Sequence, residues 1–153
     1  MKIKLRTVDR HFSNCIRERV DWTCERCGSY KPEGRRQGLH CSHFHGRGAW
    51  STRLDPSNCE ALCYGCHSHL EQHPYKHTER QREIMGEVGF YLLLERSIDT
   101  QFGRSIKKAE AEASKHFREE YKRMQRLRLE GTMGRIEFTP FNPNGPFLRV
   151  VED

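Results

Sequence analysis

Apolar residues recur every three or four positions in three stretches of the chain, and this spacing predicts three helical segments. The first covers 7–20, with Thr7 as a candidate N-cap and an apolar face of Phe12, Cys15 and Ile16. The second covers 79–99. Its predicted stripe consists of Ile84, Val88, Tyr91, Leu92 and Glu95.

The third segment, 104–130, has the clearest helical pattern. Its apolar positions, separated by charged residues, are Ile106, Ala109, Ala113, Phe117, Tyr121 and Met124. The stretch 97–103 predicts the turn between the second and third segments, so we expect a helical hairpin. Its apolar face could pack within the chain or across a homodimer.

The remaining stretches have different textures. Residues 21–77 hold six of the seven cysteines and seven of the nine histidines, which indicates a compact, loop-rich centre. After Gly131, Ile136 and Phe138 alternate with polar residues as in a short strand, and the rest has the composition of an extended arm. The predicted division is therefore 1–77 for the centre with its first helix, 78–130 for the helical hairpin and 131–153 for the arm.

Composition indicates a thin core and an anionic partner. The 153 residues are 35% hydrophobic with a mean hydropathy of -0.91, so something besides hydrophobic contact must stabilise the fold. The net charge is +6, and the basic residues concentrate in 31–53 and 104–130. Such surfaces suit nucleic acid, although they could also be ordinary solvated faces.

The chain has neither the long apolar run of a membrane span nor the pattern of a secretory signal. We therefore predict a cytoplasmic protein without a membrane partner. In a reducing compartment an odd number of cysteines favours metal ligands over disulfides.

Four cysteines form two C-x2-C pairs, in "CERC" and "CYGC", which are separated by 35 residues. A two-residue gap lets a tight turn aim both sulfurs at one point, and two such turns complete a tetrahedral site. The sequence therefore predicts a structural Zn²⁺ bound by Cys24, Cys27, Cys63 and Cys66. The intervening residues leave room for a hairpin, and the second pair leads into a helix. Cys15 and Cys59 are expected to be buried apolar residues. The role of Cys41 is left undecided between a buried residue and a ligand, because histidines neighbour it in sequence.

A histidine-rich stretch, "SHFHGRG", lies between the pairs, and "DPSNCEALCYGCHSHL" surrounds the second pair. This layout over residues 12–74 resembles the HNH (His-Me finger, ββα-metal) nucleases. It is most similar to the phage NinG/Rap recombination nucleases and to endonuclease VII, which has two C-x2-C pairs around the same core. The resemblance implies an α+β fold, with a small zinc-stapled, treble-clef-like ββα core, an N-terminal helix and a C-terminal helical hairpin.

The resemblance also implies residue roles. His43 would be the general base that takes a proton from water, and Asn58 would tie the loop to the hairpin and fix His43. His67 would be a ligand of a catalytic divalent ion, Mg²⁺ or Mn²⁺, that contacts the scissile phosphate. Arg47, between two glycines, could grip a phosphate.

The sequence departs from the family pattern at Ser42, where many HNH enzymes have an acidic residue or a histidine. His45, His69 or His73 could complete the metal site, and His69 and His73 have the i, i+4 spacing of one helix face. Water could also fill the coordination sphere, or catalysis could have been lost.

The expected function is hydrolysis of DNA phosphodiester bonds on branched or single-stranded DNA during phage recombination, in the cytoplasm of an infected or prophage-carrying bacterium. The residues expected to contact DNA are Arg35, Arg36, Arg47, Arg53, Lys107 and Lys108. Two alternatives remain. One is a non-catalytic zinc module that binds nucleic acid or a partner protein, which Ser42 favours. The other is a homing-type or packaging-associated HNH nuclease with a defined site.

Overall fold

The computed structural model describes residues 2–34 and 38–145. In chain order, its regular elements are α1 (Thr7–Arg19), β1 (His40–His43), α2 (Trp50–Arg53), a 3₁₀ turn (Pro56–Asn58), β2 (Cys59–Leu62), α3 (Tyr64–Gln72), α4 (Pro74–Ser97), α5 (Thr100–Lys108) and α6 (Glu110–Leu129). Of the helices described, none is long and apolar enough to cross a membrane.

The centre of the fold is a two-stranded antiparallel sheet followed by a helix. The register of β1 and β2 pairs His40 with Leu62 and His43 with Cys59. After β2 the chain turns at Cys63, which is the N-cap of α3. The predicted α+β fold, with a hairpin and helix beside a four-cysteine cluster, is confirmed.

Helix α1 supplies one wall of the core. Phe12, Cys15 and Ile16 are fully buried, as their spacing predicts. The helix begins one residue earlier than an N-cap at Thr7 implies, because Arg6 is the N-cap and its N–H donates to the Asp9 carboxylate at 2.7 Å. Helix α6 packs along α1 and completes this wall.

The long helical stretches differ from the prediction in two ways. The third predicted segment is two helices, which meet at Ala109, and α5 already begins at Thr100 inside the predicted turn. The apolar face of α6 packs against the rest of this chain rather than a second copy, since Ala113, Phe117 and Met124 are fully buried.

The stripe predicted for 79–99 is wrong. The helix buries Gln81, Phe90 and Leu93 instead. The apolar residues of the predicted stripe are exposed, namely Ile84, Val88, Tyr91 and Leu92. At Gly86 the backbone has a φ of 71°, which breaks α4 into two helical parts, so one continuous helical periodicity does not apply across it.

The segment 131–145 crosses the core without regular structure. Ile136 and Phe138 are buried, so the alternating pattern correctly predicts which side chains point inward. No strand forms in this segment, because its backbone bonds to a helix end rather than a sheet edge: the Ile136 N–H donates to the Arg19 carbonyl at 3.0 Å. Phe138 packs edge-on against Phe12 and Phe117. The rest of the predicted arm, 146–153, lies outside the described residues.

Candidate metal centre and its histidine face

The four predicted cysteine ligands converge on one point. The sulfurs of Cys24, Cys27, Cys63 and Cys66 all lie within 4.8 Å of one another. Cys27 and Cys63, one from each pair, have sulfurs 3.7 Å apart, close to the ~3.8 Å edge of a tetrahedron built on 2.3 Å Zn–S bonds. The predicted structural zinc site is therefore present in geometry.

Local groups favour the thiolate form of Cys27, whereas burial raises the pKa of Cys66 to about 12. A hydrogen bond with Ser29 lowers the pKa of Cys27 to about 6. Gly28, directly after Cys27, has a φ of 76°, and its N–H donates to the Cys24 carbonyl at 2.9 Å. A residue without Cβ is suited to this tight turn, which points both sulfurs of the first pair in the same direction.

His40 and His67 form a close pair on the α3 side of the sheet, here called the histidine pair. Nδ1 of His40 lies 3.0 Å from Nδ1 of His67, and the rings meet edge to face. His67 Nε2 lies 3.3 Å from a carboxylate oxygen of Glu71, one helical turn further along α3. Burial lowers the pKa of His40, and the nearby His67 lowers it further, so His40 is neutral at pH 7.

His43, the expected general base, does not lie beside His67, the expected metal ligand. His43 follows His40 by three positions in β1, and side chains three positions apart on a strand point to opposite faces. His43 instead packs beside Phe12 of α1, with ring centroids 6.2 Å apart. Its Nε2 lies 2.8 Å from the Arg53 carbonyl, and its Nδ1 is buried without a hydrogen-bond partner.

His43 has two sulfur neighbours on that face. The ligand atoms of Cys41, His43 and Cys59 lie within 4.8 Å of one another, and we call them the sulfur–imidazole group. Contact with the Cys59 sulfur lowers the pKa of Cys41, whereas burial raises the pKa of Cys59. Cys59 is therefore buried, as the sequence predicts, but it also contacts a second thiol and an imidazole.

Asn58 ties the loop after β1 to the start of β2. Its side chain is fully buried and accepts from the His45 N–H at 2.8 Å. Its amide donates to the carbonyls of His45 at 2.9 Å and Thr52 at 3.0 Å. These three bonds span the connection between the strands and join the loop after β1 to the start of β2.

Replacing Asn58 with alanine is expected to lower the free energy of unfolding by about 2–3 kcal/mol, because three buried backbone groups lose their partner. Urea denaturation of the purified variant measures this. Asn14→Ala is the matched control: its amide oxygen accepts one half-buried bond from Arg17, and we expect a loss below about 1 kcal/mol. Equal losses in the two variants would contradict the tether.

The other predicted histidine ligands do not join the histidine pair. His69 stacks on His73 at a centroid distance of 4.4 Å, and His73 Nδ1 lies 2.8 Å from the His69 carbonyl. His45 packs edge-on against Phe44, and its Nε2 is buried without a hydrogen-bond partner. Ser42, on the same face of β1 as His40, also has a buried hydroxyl oxygen without a partner.

The prediction that Arg53 contacts DNA is wrong. Arg53 is 3% exposed, and its guanidinium is paired with the buried Asp9 carboxylate through contacts of 2.8 and 2.6 Å. Two further bonds go to the carbonyls of Arg47 and Lys4. A residue enclosed in this way serves the fold rather than a ligand. Arg35 and Arg36 lie outside the described residues.

Arg47 lies at a basic cavity of about 420 Å³ beside α1. Its Nε is buried without a partner, and Arg6, Arg10 and Arg17 also line the cavity. Arg6 also lines a second cleft, together with Lys4, Lys107 and Lys108, so the two basic surfaces are continuous. We call the first of these the arginine cavity.

Sequence reasoning missed two residues that lie beside His67, namely His40 and Glu71. His40 precedes the motif from which roles were assigned, and only the register of β1 with β2 places it beside α3. Glu71 had a usable signal, because its i, i+4 spacing from His67 puts both side chains on one face of a helix.

Comparison of the chain with protein-family models, with curated proteins and with solved structures finds no match.

Proposed function

We propose that the chain is a metal-dependent DNA endonuclease of the HNH type. The observation that carries the proposal is the histidine pair: imidazoles from a strand and from the following helix meet at 3.0 Å beside a zinc-type cluster. The layout agrees with the sequence resemblance in its two C-x2-C turns, its hairpin and the helix that follows. It differs in the strand residue that faces the helix, which is His40 rather than His43.

Glu71 supports a ligand role for His67. A carboxylate near Nε2 favours the proton on that nitrogen, and the lone pair then lies on Nδ1, which faces His40. Carboxylate–histidine–metal arrangements use the same device to fix the tautomer and the ring orientation. His67 is thereby held with its ligating nitrogen toward the partner imidazole.

The spacing of the histidine pair fits a shared ion. Two nitrogens at 2.0–2.1 Å from one ion are about 2.9–3.4 Å apart for common coordination angles. Two imidazoles suit transition-metal ions better than Mg²⁺, so of the two expected ions we favour Mn²⁺. Such an ion would polarise a phosphodiester and lower the pKa of a bound water.

The arginine cavity supports binding of a phosphate backbone. Arg17 donates from Nε to the carbonyl of Leu39, the residue before His40, so the cavity adjoins the strand that carries the pair. Arg47 has an unused, buried Nε at this cavity, and guanidinium groups bind phosphate through several donors at once. The second cleft, with Lys107 and Lys108, extends the positive surface along a DNA strand.

A non-catalytic zinc module that binds nucleic acid remains the second candidate. One observation favours it: the two ring nitrogens at 3.0 Å also satisfy each other through one N–H···N hydrogen bond, without an ion. Ser42 is consistent with this candidate as well, since it supplies no metal ligand of the usual kind.

Cleavage of supercoiled plasmid and of four-way-junction, single-stranded and duplex DNA distinguishes the two candidates. We expect nicking with Mn²⁺, strongest on branched or single-stranded substrates, and at least a 100-fold lower rate for His67→Ala, because it removes an ion ligand. His69→Ala, on the same helix but stacked on His73, is the matched control and should keep nearly the full rate.

Gel shifts of the same proteins give the second readout. Both variants should retain DNA binding, since the proposed backbone contacts lie on other residues. Binding without cutting in any divalent ion would establish the non-catalytic module. Equal cutting by wild type and His67→Ala would overturn the proposed site.

A further inference from the structure

The sulfur–imidazole group lies on the face of the hairpin opposite the histidine pair. Cys41 and Cys59 are 6% and 4% exposed, and the fully buried Phe12 packs beside the His43 ring. The group shares no residue with the four-cysteine cluster. Within residues 2–34 and 38–145, no fourth Cys, His, Asp or Glu joins it.

The hydrogen bond at Nε2 decides which nitrogen of His43 is available. A carbonyl oxygen only accepts, so Nε2, at 2.8 Å from the Arg53 carbonyl, carries the proton. Nδ1 of a neutral ring then has the lone pair, and this nitrogen is buried without a partner. The lone pair on His43 Nδ1 is therefore available to a metal ion held together with the sulfurs of Cys41 and Cys59.

A disulfide does not account for the two sulfurs. Cys41 pairs with Ala61, and Cys59 pairs with His43, so the cysteines are diagonal neighbours across the hairpin. Diagonal Cα atoms in an antiparallel pair are roughly 7–8 Å apart, whereas disulfides need about 4.4–6.8 Å. Without a shift of the strands the thiols stay unbridged.

We infer that Cys41, His43 and Cys59 form a second metal site, which binds a thiophilic divalent ion of the zinc class through Sγ, Nδ1 and Sγ. Two sulfurs and one imidazole form a ligand set that suits zinc, and three protein ligands leave one position for water. Charge favours a divalent ion over Cu(I), because two thiolates neutralise a 2+ charge in a buried site.

The second site has a consequence for His43. With Nε2 bonded to a carbonyl and Nδ1 on a metal ion, the ring has no nitrogen left to take a proton from water. His43 then joins β1 to β2 as a structural ligand. The inference does not depend on the proposed nuclease activity, since the site lies on the other face of the sheet.

The test is the zinc content of the purified full-length chain by mass spectrometry, in wild type and in the Cys41→Ser/Cys59→Ser double variant. The double variant should lose one equivalent of zinc per chain. Cys15→Ser is the matched control, because Cys15 is an equally buried thiol that donates to the Phe117 carbonyl and belongs to no cluster. It should lose none. An unchanged zinc content in the double variant would overturn the site.

Cobalt substitution of the same proteins reports the ligands directly. Six thiolates bind metal in the wild type and four in the double variant, so the sulfur-to-cobalt charge-transfer absorption should fall by about one third. If the double variant does not fold, ¹¹³Cd NMR of the wild type decides. Two resonances, one typical of four sulfurs and one of mixed sulfur and nitrogen ligands, support the inference, and a single four-sulfur resonance refutes it.

Discussion

Cys27→Ser is expected to unfold the two C-x2-C turns, the hairpin and α3 at neutral pH, and removal of zinc with a chelator should have the same effect. Structural zinc contributes on the order of 10–16 kcal/mol of apparent folding free energy in small zinc domains. A typical domain has a net stability of only about 5–15 kcal/mol. Loss of the ion is therefore sufficient to remove the folded state.

The exposure of Cys27 makes this variant informative. The side chain is exposed, so a serine leaves no cavity and breaks no apolar contact, and the loss of stability reports the metal ligand alone. Ser29→Ala, two residues away, removes a hydrogen bond to the Cys27 sulfur but no ligand. It should cost below about 1.5 kcal/mol.

Circular dichroism melts with zinc and with EDTA measure both effects. The wild type should lose its cooperative transition in EDTA and regain it when zinc is added back. A wild type with the same melting temperature in both buffers would contradict the stabilising role of the ion.

Asp9→Ala is expected to lower the free energy of unfolding by about 3–5 kcal/mol, because it leaves the Arg53 guanidinium buried without its counter-charge. Both side chains of this ion pair are only 4% exposed. Asp9→Asn keeps an acceptor for the Arg6 N–H but removes the charge, so the difference between the two variants separates the cap from the ion pair.

Glu110→Ala is the matched control for the ion pair. Glu110 pairs with Arg6 at 2.9 Å, but both side chains are partly exposed, and solvent screens their attraction. We expect a loss below about 1 kcal/mol in urea denaturation. Similar losses for Asp9→Asn and Glu110→Ala would show that burial adds nothing to the Asp9–Arg53 pair.

The same ion pair gives an acid dependence. Burial raises the pKa of Asp9, but hydrogen bonds from Arg53 and the Arg6 backbone lower it by more, so it lies below the ordinary value of 3.8. Because the folded state holds this carboxylate ionised, its contribution is complete above that value and is lost as the pH falls further. Between pH 5 and pH 3, urea denaturation should show a larger loss of stability for the wild type than for Asp9→Asn.

Local spacing predicts much of the fold. The two C-x2-C pairs, the apolar face of α1 and the hairpin between the pairs each depend on residues close in sequence, so their geometry follows from short-range rules. The buried alternation of Ile136 and Phe138 follows in the same way, although their strand does not form.

Partners across the fold could not be predicted. From the sequence, Arg53 is a basic residue in a basic segment, as a DNA contact would be. Only the packing of α1 beside it shows that Arg53 is buried in an ion pair with Asp9. The facing of His40 and His67 depends on the register between β1 and β2, because a shift of one residue exchanges the two faces of a strand. The buried residues of 79–99 were predicted wrongly because one continuous helix was assumed, and Gly86 interrupts that helix.

The path of the segment 131–145 sets an order for folding during synthesis. All four cysteine ligands have been translated once the ribosome has passed Cys66, so the zinc-bound unit can form early. The aromatic contacts among Phe12, Phe117 and Phe138 cannot close until the ribosome has passed Phe138. The nascent protein therefore has a folded metal unit and an uncovered apolar surface on α1 until the last of these contacts closes.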